Sequence, residues 1–362
     1  MEILAKAPER CPVNATFELT VRCNLKCKMC LFRHSDSENA EIISKELTAE
    51  QWADFAREAA EIGTVGVLIT GGEPMLRPDF CEIYESIYRQ GFMISLYTNA
   101  TLVTTEVMEL LRKLPPHKIG ISIYGASPET YQKVCGNAAA FEKMLEGSRQ
   151  LCTLPSVIEF RTTIIQDNLC DSRAIEKLVK DNFGANHTVT QTRMVMKAVR
   201  GACADVEGCR LSPYDNVMLS LQKSIDIIKE KVGDGFDINN IRIRQENLNK
   251  NADCGSAVNH RLSLFGCSGG MSAFALTWDG RLQACQVLGA FSTDAVALGL
   301  KNAWEDYPKC VKLPEPNQKC LNCEMNKLCR SCYALRYAET GNLDDCPEYA
   351  CRDSEVMKSF CV

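Results

Sequence analysis

The most informative stretch of the sequence is Thr20-Val21-Arg22-Cys23-Asn24-Leu25-Lys26-Cys27-Lys28-Met29-Cys30. It places cysteines in a C-x3-C-x2-C spacing directly after a strand-like run at 16–21. Three thiolates from one tight loop can hold three irons of a 4Fe-4S cluster, whose usual protein ligand set is four cysteines. The fourth iron would be open to a ligand from outside the protein. The alternative is a zinc site, which takes four ligands and often combines a C-x2-C with a second pair further on.

Strands and helices alternate on the C-terminal side of this stretch. Because β/α units in series form parallel sheets, six of them predict an α/β fold with a partial (β/α)6 TIM-like barrel. Active sites of such barrels lie at the C-terminal ends of the strands, where both the cysteine loop and Gly71-Gly72-Glu73-Pro74 fall. Strands are predicted at 16–21, 65–70, 92–98, 118–124, 157–165 and 187–195, and helices at 48–62, 79–90, 104–114, 139–151 and 172–182, with another opening at Ser127-Pro128.

The alternation stops after Arg200-Gly201, and the composition changes further on. Residues 213–232 read as a single amphipathic helix, and cysteines become dense from Cys254 onward. We therefore predict a barrel with its following helix at 1–234, a connecting segment at 235–253 and a small cysteine-rich domain at 254–362.

Composition restricts the class of protein and its compartment. The chain has 362 residues, of which 46% are hydrophobic, and a net charge of -5. No apolar run is long enough for a membrane span, and the chain does not begin with a signal peptide, so a cytoplasmic location without membrane association is expected. The absence of a basic stripe argues against nucleic acid as a partner. In a reducing compartment, 21 cysteines suggest metal binding or catalysis rather than disulfides.

The cysteine triad followed by Gly71-Gly72-Glu73-Pro74 resembles the radical S-adenosylmethionine (radical SAM) superfamily. The resemblance implies that Cys23, Cys27 and Cys30 are the catalytic cluster ligands and that the open iron chelates the amino and carboxylate groups of SAM. An electron from the cluster would then cleave SAM to a 5'-deoxyadenosyl radical. In that family the glycine turn holds the SAM amino group. Met29 replaces an aromatic residue common before the third cysteine, and its sulfur can still pack against adenine.

Other strand ends supply weaker candidates for SAM contacts. Thr98 and Asn99 follow the third strand, Ser122 lies on the fourth, and Arg161 lies on the fifth. By resemblance, these positions are near the ribose and carboxylate of SAM. For Ser122 the alternative is a hydrogen-bonded polar group inside the barrel. Arg161 is the better supported, because a guanidinium facing into a barrel needs an anionic partner.

The C-terminal cysteines resemble a second module, the SPASM domain, which carries auxiliary iron-sulfur clusters. Its C-x12-G-x4-C part runs from Cys267 to Cys285 across a predicted hairpin with an Asp279-Gly280 turn. Its C-x2-C-x5-C part follows at Cys320, with two residues before Cys332 where the family has three. The alternative is a pair of structural zinc sites, but the upstream hairpin and the radical SAM motifs favour iron-sulfur clusters.

The resemblance implies three 4Fe-4S clusters, one binding SAM and two auxiliary. The first auxiliary cluster would be bound by Cys267, Cys285 and Cys332, with Cys254 as a possible fourth ligand. The second would be bound by Cys320, Cys323, Cys329 and Cys351, with Cys346 as the alternative to Cys351.

Radical SAM enzymes with a SPASM domain mostly modify peptides, and residues 121–130 are typical of that branch. The first hypothesis is therefore maturation of a ribosomally made peptide (RiPP) by cross-linking, epimerisation or oxidation, with a flavodoxin or ferredoxin as electron donor. Only 22 residues precede Cys23, so a separate leader-binding protein, or recognition by the barrel and SPASM domain, is expected.

Three alternatives stay open. The substrate could be a small molecule, such as an aminoglycoside or a cofactor precursor. A sulfatase maturase that forms formylglycine is less favoured, because Gln286 follows Cys285 where that branch has an acidic residue. The third alternative is an electron-transfer or cluster-scaffold protein without radical chemistry.

Overall fold

The computed structural model describes residues 10–232, 264–265, 267–312, 320, 322–325, 328–329 and 331–360. Their contacts divide the chain into two compact units. The first takes in Met1–Cys209 and Ser268–Lys312, and the second takes in Arg210–Cys267 and Leu313–Val362. The predicted connecting segment 235–253 and Cys254 lie outside the described residues, and the predicted domain boundaries stay predictions.

A mixed sheet forms the centre of the first unit, with the strand order β6-β5-β4-β3-β2-β1-β7-β8-β9. From β1 to β6 each strand pairs in parallel with the next one along the chain, which confirms the predicted α/β fold. The strands are β1 (Asn14–Glu18), β2 (Gly66–Thr70), β3 (Met93–Thr98), β4 (Lys118–Ser122), β5 (Val157–Thr163), β6 (Val189–Thr192), β7 (Ala273–Leu276), β8 (Arg281–Gln283) and β9 (Thr293–Asp294).

Helices follow the parallel strands and begin where the sequence supplies caps. Thr48 caps one of them, since its hydroxyl accepts from Gln51 N at 3.2 Å while the Gln51 side chain accepts from Thr48 N at 2.9 Å. The helices are α1 (Asn39–Lys45), α2 (Ala49–Glu61), α3 (Phe80–Tyr88), α4 (Thr105–Lys113), α5 (Pro128–Cys135), α6 (Ala140–Leu151), α7 (Ser172–Phe183), α8 (Pro213–Val232), α9 (Ala295–Leu298), α10 (Leu300–Cys310), α11 (Tyr333–Thr340) and α12 (Glu348–Ser359).

The two faces of the parallel sheet differ in chemistry. Phe17 of β1 packs on Trp52 of α2 with ring centroids 5.3 Å apart, and Phe160 of β5 stacks on Phe183 of α7 at 4.7 Å. Because strand side chains alternate, the neighbours of these residues in sequence point to the opposite face. Glu18 is one of these neighbours. That opposite face is the polar interior of the partial barrel.

The Asp279-Gly280 hairpin is present, with Gly280 at φ +80° and β7 antiparallel to β8. Strand β7 also pairs in parallel with β1, Asn14 opposite Ala273. The apolar side chains of Ala273–Leu276 suit a central position in a sheet. The C-terminal hairpin therefore extends the barrel sheet.

The second unit packs α8 against α12. Val217, Leu221 and Ile225 recur every four residues along α8 and form a buried cluster with Met357 of α12. The amphipathic helix predicted at 213–232 is therefore confirmed.

The Trp52→Ala substitution tests the packing of the first unit. Trp52 is fully buried, so its removal should lower the free energy of unfolding by about 3–5 kcal/mol. Ile43→Ala is the matched control, because Ile43 is 53% exposed and its loss should cost less than about 0.5 kcal/mol. Urea unfolding followed by circular dichroism measures both, and equal midpoints would contradict the packing described.

Candidate active site

Buried charges fix the start of the cysteine loop. Arg22 donates to Glu46 through Nε at 2.9 Å and Nη2 at 2.8 Å. Arg77, only 6% exposed, lies 3.6 Å from the same carboxylate and donates to the carbonyls of Leu19 and Leu47 at 3.0 and 2.9 Å. Because a buried ion pair is costly to break on one side, this network holds the end of β1 in one geometry.

The middle of the cysteine loop is held by the C-terminal end of α5. Lys26 N donates to Cys135 O at 2.9 Å, and Lys28 N donates to Val134 O at 3.0 Å. Carbonyls at the C-terminal end of a helix lack partners within the helix, and the backbone amides of the loop are those partners here. The Cys27 thiol is buried and hydrogen-bonded to the thiol of Cys135.

Gly71 and Gly72 allow two backbone segments to meet. Gly72 N donates to Thr20 O at 2.7 Å, and Glu73 N donates to Arg22 O at 2.9 Å. A Cβ on Gly72 would lie 2.3 Å from Arg22 O, and one on Gly71 would lie 2.4 Å from Thr20 O. The glycines are therefore required for contact between this turn and the start of the cysteine loop. The contact of the same turn with the SAM amino group, which the resemblance implies, stays a prediction.

Glu73 connects the glycine turn to the end of β3. Its carboxylate is fully buried and accepts from Met75 N at 3.1 Å, Thr98 Oγ1 at 2.8 Å and Asn99 N at 2.7 Å. Burial raises the pKa of Glu73 to about 7, and these hydrogen bonds oppose the rise. The Asn99 amide then donates to Asn24 Oδ1 at 2.9 Å. Thr98 and Asn99, predicted to contact SAM, thus link the glycine turn to the cysteine loop.

The three cysteine thiols have the chemistry that a cluster needs. Burial, followed by the charge of Cys27, raises the pKa of Cys30 to about 11, and the same two causes raise the pKa of Cys23 further. The pKa of Cys27 is also raised, first by its hydrogen bond to Cys135 and then by burial. Thiolates at these positions repel one another and lack solvent, so a cationic iron cluster would stabilise them. The residues present therefore fit a cluster.

A mononuclear metal site is a separate question. Among the described residues, no three His, Cys, Asp or Glu side chains converge closely enough to bind one metal ion together. A 4Fe-4S cluster is held differently, because each thiolate binds a different iron.

Arg161 finds its anionic partner within the protein. Its Nη1 lies 3.0 Å from Glu159 Oε1 on the same strand and 3.1 Å from the Tyr97 hydroxyl. The guanidinium also lies 4.8 Å from the Tyr97 ring centroid. Glu159 therefore supplies the anionic partner that the sequence analysis expects for Arg161. The contact of Arg161 with the SAM carboxylate stays a prediction.

The remaining predicted SAM contacts are partly enclosed by protein. Met29 is 6% exposed, and Pro74 is buried at the first position of a 3-10 turn, Pro74–Leu76. Ser122 is half-buried at the end of β4 and hydrogen-bonded to the Tyr124 hydroxyl. Their contacts with SAM stay predictions.

Several residues around the cysteine loop escaped sequence reasoning. The position of Tyr124 just after β4 could have identified it, since active-site side chains gather at strand ends. Its pKa is raised by burial and then by the charge of Cys27. Cys135, Glu46 and Arg77 lie far from the motifs in sequence, and no local pattern marks them.

In the second unit, the cysteines predicted for the second auxiliary cluster lie near one another. Cys320 Sγ and Cys346 Sγ are 3.5 Å apart. Burial and then the hydrogen bond to Cys346 raise the pKa of Cys320 to about 11. Burial and the charges of Cys346, Cys329 and Cys323 raise the pKa of Cys351 to about 12. Both candidates for the fourth ligand, Cys351 and Cys346, belong to this group.

The cysteines predicted for the first auxiliary cluster fall in both units. Cys285 belongs to the first unit, whereas Cys267 and Cys332 belong to the second. Cys332 caps α11, since its sulfur accepts from Leu335 N at 3.5 Å. This ligand set stays a prediction.

Residues 17–165 match the family described as the Radical SAM superfamily. The matched range contains the cysteine triad, the glycine turn and strands β2 to β5. The match therefore identifies these residues as similar to a radical SAM domain. Proteins of this superfamily bind a 4Fe-4S cluster and SAM.

Individual relatives differ in how much of the chain they cover. The AdoMet-dependent heme synthase of Methanosarcina barkeri is 28% identical over 90% of this chain and 92% of its own length. The PqqA peptide cyclase of Streptomyces rochei is 32% identical over 38% of this chain and 36% of its own length. The crystal structure of Streptococcus suis SuiB bound to its precursor peptide SuiA has a TM-score of 0.67 at 16% identity, covering 94% of this chain and 76% of that one. The last likeness concerns the fold alone.

In the part of the chain that the structure describes, every helix is too short or too polar to cross a bilayer.

The Gly72→Ala substitution tests the contact between the glycine turn and the cysteine loop. The added methyl would overlap Arg22 O, so the loop must shift, and we expect the purified protein to lose most of the iron bound by Cys23, Cys27 and Cys30. Iron analysis and the SAM-sensitive electron paramagnetic resonance (EPR) signal of the reduced cluster measure this. Gly91→Ala is the control, because its φ of +84° carries a backbone cost but its Cβ would meet nothing within 4 Å. Equal iron content and EPR signal in both variants would contradict the role given to Gly72.

Proposed function

We propose that this radical SAM enzyme abstracts hydrogen from a small cofactor precursor, a tetrapyrrole related to haem. The observation that carries the proposal is the extent of the resemblance to AdoMet-dependent heme synthase, which covers 90% of this chain. The match to the peptide cyclase covers 38%. Because radical SAM proteins share the cluster-binding part, likeness over the remaining part carries more weight for the substrate.

The polar interior of the barrel suits a substrate with carboxylate groups. Arg200 donates to both oxygens of the buried Glu18 at 2.8 and 2.6 Å, and Gln286 donates to Glu18 at 3.1 Å. Lys118 and Arg161 both pair with Glu159 on the same inner face. Such paired cations can exchange one carboxylate partner for another, so they are candidate contacts for a carboxylate on the substrate.

When bound, the cluster and SAM would supply the electron and the radical that abstracts hydrogen. The protein's part is to bind, orient and exclude water. Cys23, Cys27 and Cys30 would hold three irons, and the Glu73 network keeps the cysteine loop and the end of β3 in fixed register. Cys27 and Glu73 are buried, which limits the access of water from their side of the loop.

Maturation of a ribosomally made peptide is the second candidate. The match to PqqA peptide cyclase, which covers 38% of this chain, supports this candidate. In that case the leader of the peptide would be bound by a separate leader-binding protein or by the barrel and the SPASM domain. A flavodoxin or ferredoxin as electron donor and a cytoplasmic location belong to either candidate and remain proposals.

We also propose that the C-terminal cysteines form a SPASM-type domain with two auxiliary clusters. The proximity of Cys320, Cys346 and Cys351 in the second unit supports the second cluster. The first cluster rests on the sequence pattern of Cys267, Cys285 and Cys332, with Cys254 as its possible fourth ligand.

A substrate assay with the anaerobically reconstituted protein tests the function. We expect 5'-deoxyadenosine to form from SAM under reducing conditions, and its formation to rise when an iron porphyrin with carboxylate side chains is added. A panel of iron porphyrins that differ in those side chains, followed by mass spectrometry, identifies the group attacked. Cys27→Ser is the control and should form no 5'-deoxyadenosine.

Two outcomes would contradict the assignment. Absence of 5'-deoxyadenosine with all clusters loaded would exclude radical chemistry and favour an electron-transfer or scaffold protein. Modification of a peptide encoded beside this gene, with every porphyrin unchanged, would establish the second candidate instead.

Substitution of Cys351 or Cys346 identifies the fourth ligand of the second auxiliary cluster. We expect Cys351→Ser to lower the iron content by one cluster, because the resemblance to the SPASM pattern favours Cys351 as the ligand. The matched variant Cys346→Ser should retain full iron. The reverse result, measured by iron analysis and Mössbauer spectroscopy, would transfer the ligand role to Cys346.

A further inference from the structure

Three Lys or Arg side chains line a cavity beside the cysteine loop, and one of them has no acidic partner among the described residues. Arg22 pairs with Glu46 at 2.8 Å, and Lys26 pairs with Asp36. Within the described part of the chain, no carboxylate pairs with Arg33, and its buried Nε has no hydrogen-bond partner. Among the described side chains, none neutralises the charge of Arg33.

The backbone holds Arg33 in a defined place. Cys203 N donates to Arg33 O at 2.8 Å, and Val199 N donates to Leu31 O at 3.0 Å. These two bonds tie the segment after the third cysteine to the segment after β6. The Arg33 side chain, together with Cys23 and Cys203, lines a cavity of about 220 Å³.

Arg33 lies close to the cluster ligands in sequence and in space. It follows Cys30 by three positions, and its side chain lines the same cavity as Cys23. A cluster held by Cys23, Cys27 and Cys30 would therefore lie near the guanidinium.

A cluster bound by thiolates gains one more negative charge when it is reduced. Its reduction potential depends on net charge, hydrogen bonds to sulfur and solvent exposure. A fixed positive charge nearby stabilises the reduced form, and most strongly where no carboxylate cancels it. An arginine also keeps its charge at every physiological pH.

We propose that Arg33 raises the reduction potential of the cluster held by Cys23, Cys27 and Cys30, so that a cellular donor can reduce it. The inference rests on the proposed function, because it requires that cluster to be present. It gives Arg33 a role in electron entry, acting through the cluster rather than on SAM or the substrate.

An anaerobic redox titration of the full-length, cluster-loaded protein tests the proposal, with EPR as the readout. The signal of this cluster is recognised by its change when SAM is added. At a fixed potential, Arg33→Gln should lower the ratio of reduced to oxidised cluster about tenfold, which corresponds to 59 mV for a one-electron couple. Arg33→Lys should stay within a factor of about three of the unmodified protein, because it retains the charge.

Lys26→Gln is the matched control. It removes one positive charge from the same loop, but Lys26 is 60% exposed and paired with Asp36, so the ratio should change less than about twofold. An equal effect of Lys26→Gln and Arg33→Gln would overturn the proposal, as would an unchanged ratio in Arg33→Gln.

A second pair of variants keeps the test decisive if Arg33→Gln loads cluster poorly. Cys203 is exposed and lines the same cavity, so Cys203→Asp introduces a carboxylate beside an intact Arg33. We expect it to lower the ratio, while Cys203→Asn leaves it unchanged. Equal ratios in these two variants would contradict the proposal. Absence of any SAM-sensitive signal in the unmodified protein would instead overturn the proposed function.

Discussion

The structure depends on the contact between two backbone segments, the end of β1 and the turn after β2. At this point Gly72 N and Glu73 N donate to the carbonyls of Thr20 and Arg22, and these carbonyls leave no room for a Cβ on Gly71 or Gly72. The contact fixes where the cysteine loop starts. The Arg22, Glu46 and Arg77 network fixes it from the other side. The cysteine loop is thus held by close backbone contact on one side and by a buried ion-pair network on the other.

Much of this arrangement could be predicted because it is local in sequence. The C-x3-C-x2-C spacing and the glycine turn are each patterns of a few consecutive residues. The same holds for each strand and for each helix cap in the alternation. Pairing of β7 with β1 could not be predicted, because it joins residues that no local pattern relates. The partners of Arg161 and Thr98 were missed for a different reason. Glu159 lies on the same strand as Arg161, and Glu73 follows the strand next to the one that ends at Thr98. The sequence does not show that these glutamates are buried, and their burial is what makes them pair with protein groups.

The relatives of this chain share one part of it but act on different substrates. Residues 17–165 hold the features common to radical SAM proteins, and they match relatives that act on different kinds of substrate. The inner face of the sheet carries charged groups, namely Glu18, Lys118, Glu159 and Arg161. Substrate choice is therefore expected to depend on this inner face and on the parts of the chain beyond residue 165.

The position of β1 between β2 and β7 has a consequence for synthesis on the ribosome. Strand β1 is made first, and β2 can pair with it early, but Ala273–Leu276 becomes available only after most of the chain has been translated. Until then one edge of β1 exposes unpaired amide and carbonyl groups, which other chains can bind. The strand that leads into the cysteine loop thus completes its pairing only after the C-terminal hairpin has been translated, so the proposed cluster would meet its final protein surroundings no earlier.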